Sequence, residues 1–135
     1  MIADTSGLLA YYNPAEPAHE RVKAAVESAV EPLVVSPFVI AELEYLLATR
    51  VGISAELAVL EELSSGAYEL PAMTAADLVT CGQIVRRYAD QEIGVTDASL
   101  VVLAKRFETR RILTLDHRHF DVLKSLQGKK FVVLP

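Results

Sequence analysis

Short apolar runs alternate with longer helical patterns along the whole chain, and this alternation sets the predicted elements. Met1–Asp4 reads as a strand that ends in an acid. Ser6–Tyr12 reads as a short helix, stopped by Asn13-Pro14. Pro17–Val30 is amphipathic, with Val22, Ala25, Val26 and Ala29 on one face. Leu33–Val35 is a second strand. Ser36-Pro37 then opens a helix, with Ser as N-cap and Pro in the first turn. That helix runs from Phe38 to about Thr49 and is apolar nearly all round, which predicts burial. Ser54 caps a helix to about Ser64, and Ala67–Leu70 is a short strand. Thr74 caps a helix to about Ala89, and Thr96 caps one to about Phe107. Arg111–Leu115 is a strand that ends at Asp116, and Phe131–Leu134 is the last strand.

The strands are short and apolar, without polar alternation. Such strands suit a parallel sheet covered on both faces. The expected architecture is α/β: one three-layer α/β/α domain over residues 1–135, with a mainly parallel central sheet of about five strands. Ligands of such sheets sit outside the carboxyl ends of the strands. The residues just after each strand are therefore the ones to inspect.

Composition narrows the class. The 135 residues are 52% hydrophobic and 23% charged, enough for one core and unlike a disordered chain. The lone cysteine, Cys81, forms no internal disulfide, and a cytoplasmic home is expected. It falls with Leu78 and Val85 on an apolar helix face and reads as core. The opening Met-Ile-Ala-Asp has no basic run before an apolar stretch, so no signal peptide is expected. Apolar runs fall far short of the roughly 18 residues a membrane span needs, so no membrane partner is expected. Glycines are scattered, which disfavours a phosphate-cradling loop.

Charge is divided. Residues 1–99 hold 5 Lys and Arg against 15 Asp and Glu, while residues 100–135 hold 8 against 3. This split suggests a basic rim beside an acidic pocket. A plainer reading is that Lys105, Arg106, Arg110 and Arg111 only finish a helix and solvate a loop.

Four acids answer the inspection of strand ends. Asp4 ends the first strand, and Asp116 ends Ile112-Leu113-Thr114-Leu115. Asp97 lies in the first turn of the helix after Thr96. Glu42 lies on the apolar helix after the second strand, where a carboxylate is costly unless paired or liganded. Glu44 is its neighbour on that helix's single solvated stripe. Singly, Asp4 and Asp116 read as N-caps, and Asp97 as a complement to a helix dipole. Together, four carboxylates at one crevice repel and need a cation to stay ionised. Oxygen ligands select Mg²⁺ or Mn²⁺ over zinc. Such a cluster suits metal-assisted phosphoryl hydrolysis. His117 and His119 have no cysteine or third histidine to complete a zinc site.

The chain resembles the PIN-domain family, specifically the VapC-type toxins of toxin–antitoxin pairs. The resemblance covers the whole chain. It is carried by Ile2-Ala3-Asp4-Thr5-Ser6, by Val35-Ser36-Pro37 with Ala41-Glu42, by Thr96-Asp97-Ala98-Ser99-Leu100 with Ala104, and by Leu113-Thr114-Leu115-Asp116 with Phe120. Each motif is short; their order and spacing give the set its specificity. The resemblance implies an endoribonuclease that uses Mg²⁺ or Mn²⁺, with Asp4, Glu42, Asp97 and Asp116 as catalytic, metal-binding acids. It implies that Ser6 and Thr114 orient those carboxylates. It also implies a homodimer and a small VapB-type antitoxin partner.

Arg118 and His117, with His119, are expected to line the basic rim and touch RNA phosphates, with a solvated loop as the plainer reading. Tyr11 and Tyr12 are placed for core packing or a dimer contact, with base stacking as the alternative. Surplus apolar residues around Tyr45, Leu46, Leu57 and Leu60 suggest a groove or dimer surface, or simply core. The alternative function is a non-catalytic PIN-like module that binds RNA or protein. Receiver and haloacid dehalogenase patterns fit badly, because Asp4 is followed by Thr5 and Ser6.

Overall fold

The strands predicted near residues 1–4, 33–35, 111–115 and 131–134 all form, each shorter than its sequence signal. They are β1 (Ile2–Ala3), β2 (Val34–Val35), β3 (Arg111–Leu113) and β4 (Val132–Leu134) in a computed structural model that describes residues 1–135. Seven helices flank them: α1 (Thr5–Tyr12), α2 (His19–Glu27), α3 (Pro37–Arg50), α4 (Ile53–Leu63), α5 (Ala75–Arg87), α6 (Val95–Arg106) and α7 (His117–Val122). All strand pairs are parallel, in the order β2-β1-β3-β4. β1 and β3 are therefore neighbours, and their carboxyl ends lie side by side. No helix is long and apolar enough to cross a membrane.

The sheet has four strands, not the five expected. Ala67–Leu70 makes only one bridge, Val34 to Glu69. Glu69 exchanges both backbone bonds there, with Leu33 C=O and Val35 N–H, each at 2.9 Å. The positive-φ Gly66 precedes it and Pro71 follows. Pro71 has no N–H to extend a ladder.

The most deeply buried helix is α6, where Ala98 through Ala104 are all buried. It packs on β1, α3 and α5. The all-round burial expected of α3 does not occur. Only Val39, Leu43 and Leu47 are buried there, one stripe at i, i+4 and i+8. Tyr45 on the same helix is 65% exposed. Val51, Ile53 and Leu57 continue this apolar exposure into α4. Cys81 is core as expected, although Leu78 beside it is exposed.

Two predicted N-caps hold. Ser36 Oγ accepts from Phe38 N–H, with Pro37 first in α3. Thr74 and Asp77 form a capping box at α5. Two others move: Gly52 and Gly94, not Ser54 and Thr96, precede α4 and α6. Gly52 takes φ +128°, which favours glycine.

Backbone N–H donation from Thr74 and the Arg106 guanidinium at 2.7 Å hold the Asp77 carboxyl down at about 2. A depressed carboxylate stabilises the fold above its unfolded value and ceases to do so as pH falls through the folded value. Asp77→Asn should therefore unfold at lower urea than the parent at pH 7. The gap between the two midpoints should close as pH falls from about 4 to about 2.

Gly7 sits where α1 crosses β3. A Cβ added there would lie 2.5 Å from Leu113 O and 2.9 Å from Leu113 C. The missing side chain lets α1 start directly against the sheet.

Candidate active site at the carboxyl edge of the sheet

Asp4 leaves β1 at the N-cap position of α1, but its side chain makes no cap bond. Its Oδ2 instead accepts from Ser6 Oγ at 2.7 Å and Thr114 Oγ1 at 2.6 Å. Each hydroxyl has one proton, and each gives it to Asp4. Each in turn accepts a backbone N–H: Leu115 onto Ser6 at 2.9 Å, and Asp116 onto Thr114 at 3.0 Å. The chain after β3 thus orients both hydroxyls, and they orient Asp4. Asp4 and Thr114 are buried.

Glu42 is held by a second pair of hydroxyls. Thr5 Oγ1 donates to Oε2 at 2.8 Å, and Thr96 Oγ1 donates to Oε1 at 2.6 Å. The residues beside Asp4 and Asp97 in sequence therefore grip Glu42. A buried serine pair fixes the approach of α3 to α6. Ser99 donates to Thr96 C=O at 2.6 Å, so Ser36 donates to Ser99 Oγ at 2.7 Å. Glu42 itself is exposed, and Glu44 is the partly covered one, which reverses the expected pair. The reason is register: Val39 and Leu43 take the buried stripe and turn Glu42 out past the helix toward Thr5 and Thr96.

Asp97 lies in the first turn of α6, where its Oδ2 accepts from Gly94 N–H at 3.3 Å. Burial pushes its carboxyl above the usual range, and the charge of Asp4 adds to this. His119 and the Gly94 N–H pull the other way. Asp116 is the N-cap of α7, accepting from His119 N–H at 3.4 Å. The imidazole Nδ1 of His119 lies 3.2 Å from Asp97 Oδ2 and 3.4 Å from Asp116 Oδ2. It links α6 to α7.

The four acids are neighbours joined through hydroxyls and an imidazole. They are not a preassembled ligand set: no three metal-ligating side chains converge on one point in this conformation. Thr5 and Thr96 are members that the sequence did not mark, and His119, expected at the phosphate rim, turns its ring to Asp97 and Asp116. Thr96 resembled a cap, and nothing local shows that His119 meets Asp97.

His117 and Arg118 are exposed beside Asp116 and line a recess of about 380 Å³ with Ser6 and Leu115. Arg118 Nε lies 3.7 Å from Asp116 Oδ1. A larger recess, about 470 Å³, lies elsewhere, against Tyr11, Tyr12 and His19, and none of the four acids lines it. There Tyr12 donates to Tyr68 at 2.7 Å and packs edge-on against Tyr11.

Residues 1–125 match the PIN domain family. The full chain is 55% identical over 135 residues to Ribonuclease VapC26 of Mycobacterium tuberculosis, covering all of both chains. Among solved structures it resembles M. tuberculosis VapC20, a Sarcin-Ricin loop cleaving toxin, with a TM-score of 0.84 at 23% identity over 99% of this chain and 98% of that one. It also resembles DNA-bound VapBC from Salmonella typhimurium, with a TM-score of 0.66 at 18% identity over 98% and 96% of the two chains. The parallel α/β architecture agrees with these matches, and the chain belongs to the PIN-domain family, on its VapC branch.

Proposed function

We propose that the protein is a divalent-metal-dependent endoribonuclease, the toxin of a type II toxin–antitoxin pair, and that its bonds are cut at the carboxyl edge of the sheet. The observation that carries the reading is the hydroxyl-held, buried Asp4 beside a partly buried Asp97, in a chain 55% identical to a named ribonuclease. Two carboxylates that repel where solvent is partly excluded favour a cation between them. The donors are carboxylate oxygens, which suit Mg²⁺ or Mn²⁺. Asp4, Glu42, Asp97 and Asp116 would hold the metal.

When bound, the cation supplies charge stabilisation at the phosphate and an acidified water. The chain's own residues do the rest. Ser6 and Thr114 fix Asp4, Thr5 and Thr96 fix Glu42, and Arg118 and His117 meet the RNA backbone from the recess beside Asp116. Water adds to phosphorus and the bond to the 3′ oxygen breaks, leaving a 3′-hydroxyl and a 5′-phosphate. A VapB-type antitoxin and a second copy of the chain are the proposed protein partners.

The test is incubation of purified protein with total cellular RNA in Mg²⁺, in Mn²⁺ and in EDTA. Discrete cuts that need metal are expected. Metal should also raise the melting temperature, by about 2.7 kcal/mol of stabilisation at a hundredfold excess over its Kd. Cutting that persists in EDTA would overturn the metal dependence. Absence of cutting with either metal would favour the non-catalytic binding module.

A further inference from the structure

Apart from Arg118, the basic residues of the last third do not rim the acids. Arg106 is paired with Asp77 at 2.7 Å, Arg111 with Glu31 at 2.8 Å, and Arg118 faces Asp116. Lys105, Arg110, Lys124, Lys129 and Lys130 have no carboxylate partner. They gather at the opposite pole of the sheet. Lys105 is in the last turn of α6, Arg110 precedes β3, and Lys129 and Lys130 precede β4. Lys105, Arg110 and Lys129 line one polar recess of about 360 Å³, together with Thr109, Gln127 and a single acid, Glu108.

The recess is held in shape. Arg110 Nη1 donates to Lys130 C=O at 2.9 Å, and a bridge joins Lys124 to Lys130 across the turn at Gly128. Five unpaired cations kept together repel one another, and a bound polyanion relieves that.

The proposed substrate sharpens the point. The cutting edge presents four carboxylates to a polyanion, and residues 1–99 carry a net charge of −10. Most RNA affinity comes from cations on phosphates, and beside the acids only Arg118, with His117, is placed to supply it, so further cations are needed away from them. Asp97 and Lys105 are eight residues apart on one helix, roughly 12 Å along its axis. A single RNA molecule spans that distance readily. We infer that the recess of Lys105, Arg110 and Lys129 is a second RNA contact, gripping the substrate backbone several nucleotides from the cut. This rests on the ribonuclease reading above.

The test is binding of short fluorescent polyuridine in EDTA across a salt series, so that no catalysis is needed. Lys105→Gln/Arg110→Gln/Lys129→Gln should lower affinity at least tenfold at low salt. The slope of log Kd against log salt should fall by about two, since single strands lose roughly 0.7 per cation contact. For Lys105→Gln/Lys129→Gln, which keeps the Arg110 anchor, it should fall by about 1.4. The control Arg21→Gln/Arg50→Gln/Arg86→Gln removes equal charge elsewhere and should keep the parent slope. Equal slopes in the recess and control variants would overturn the inference. So would polyglutamate displacing the RNA at equal charge concentration, which would mark an acidic protein as the ligand. In a metal-dependent cleavage assay on total RNA, the recess variant should need more enzyme for the same cuts. If the parent itself makes no cuts, the ribonuclease reading fails, while the slopes still decide the recess.

Discussion

Asp97→Asn should abolish metal-dependent RNA cleavage and leave the fold as stable as before, or more so. The substitution is isosteric. Asn keeps an oxygen for the Gly94 N–H and for His119. What it removes is a charge that burial and Asp4 both disfavour. A carboxyl raised above its unfolded value costs the folded state stability at neutral pH, and the cost vanishes below the unfolded value near 4. The urea midpoint of the variant should therefore match or exceed the parent's at pH 7 and approach it as pH falls below about 4. Loss of an outer hydrogen-bond partner in a metal site typically costs about 10–100-fold. Loss of a ligand carboxylate should cost more than that, measured on total RNA in Mn²⁺. A variant that folds normally and cuts as the parent does would remove Asp97 from the site.

Gly7→Ala should be the most damaging of the glycine-to-alanine changes. The helix itself would gain about 1 kcal/mol from alanine over glycine. Against this, the new Cβ meets the Leu113 carbonyl at 2.5 Å, and a backbone atom in the sheet has no rotamer to yield. Overpacking into a tight site costs roughly 1–3 kcal/mol, and contact with backbone places this at the upper end or beyond. The melting temperature should drop by roughly 5–10 °C. The damage should reach the site as well. Leu113 C=O accepts from Asp4 N–H at 3.0 Å, and Thr114 follows it onto Asp4. Cleavage at a temperature where the variant is still folded should therefore also be reduced. Unchanged melting would mean that α1 can shift without cost.

Local signals carried much of this fold. Ser36-Pro37 and Thr74 with Asp77 are caps whose partners lie within three residues, so the sequence contains the whole interaction. The strand-end acids were legible for a similar reason, since parallel strands place their carboxyl ends together. What was not legible depends on distant chain. Thr96 has the chemistry of a cap, but Glu42, 54 residues away, takes its proton. Glu42 and Glu44 are both flanked by apolar residues, and only the packing of Val39, Leu43 and Leu47 decides which of the two is turned out. The Glu69 bridge lacks the length of a strand because Pro71 ends its pairing. His119 reads as one of two surface histidines until α6 brings Asp97 within 3.2 Å.

The placement of β1 between β2 and β3 has a consequence in time. Asp4 is bonded to Thr114 across 110 residues of chain and Glu42 to Thr96 across 54. A ribosome adds about 5–20 residues per second, so Asp4 is made roughly 5–20 s before the hydroxyl that orients it. During synthesis the emerging chain holds two of its acids with only one of the two hydroxyls that aim each: Asp4 has Ser6 but not Thr114, and Glu42 has Thr5 but not Thr96. Contacts of such long sequence separation also close late in folding. On the proposed reading, a growing chain is thus inert until Thr96 and Thr114 have been added and have folded back onto Glu42 and Asp4.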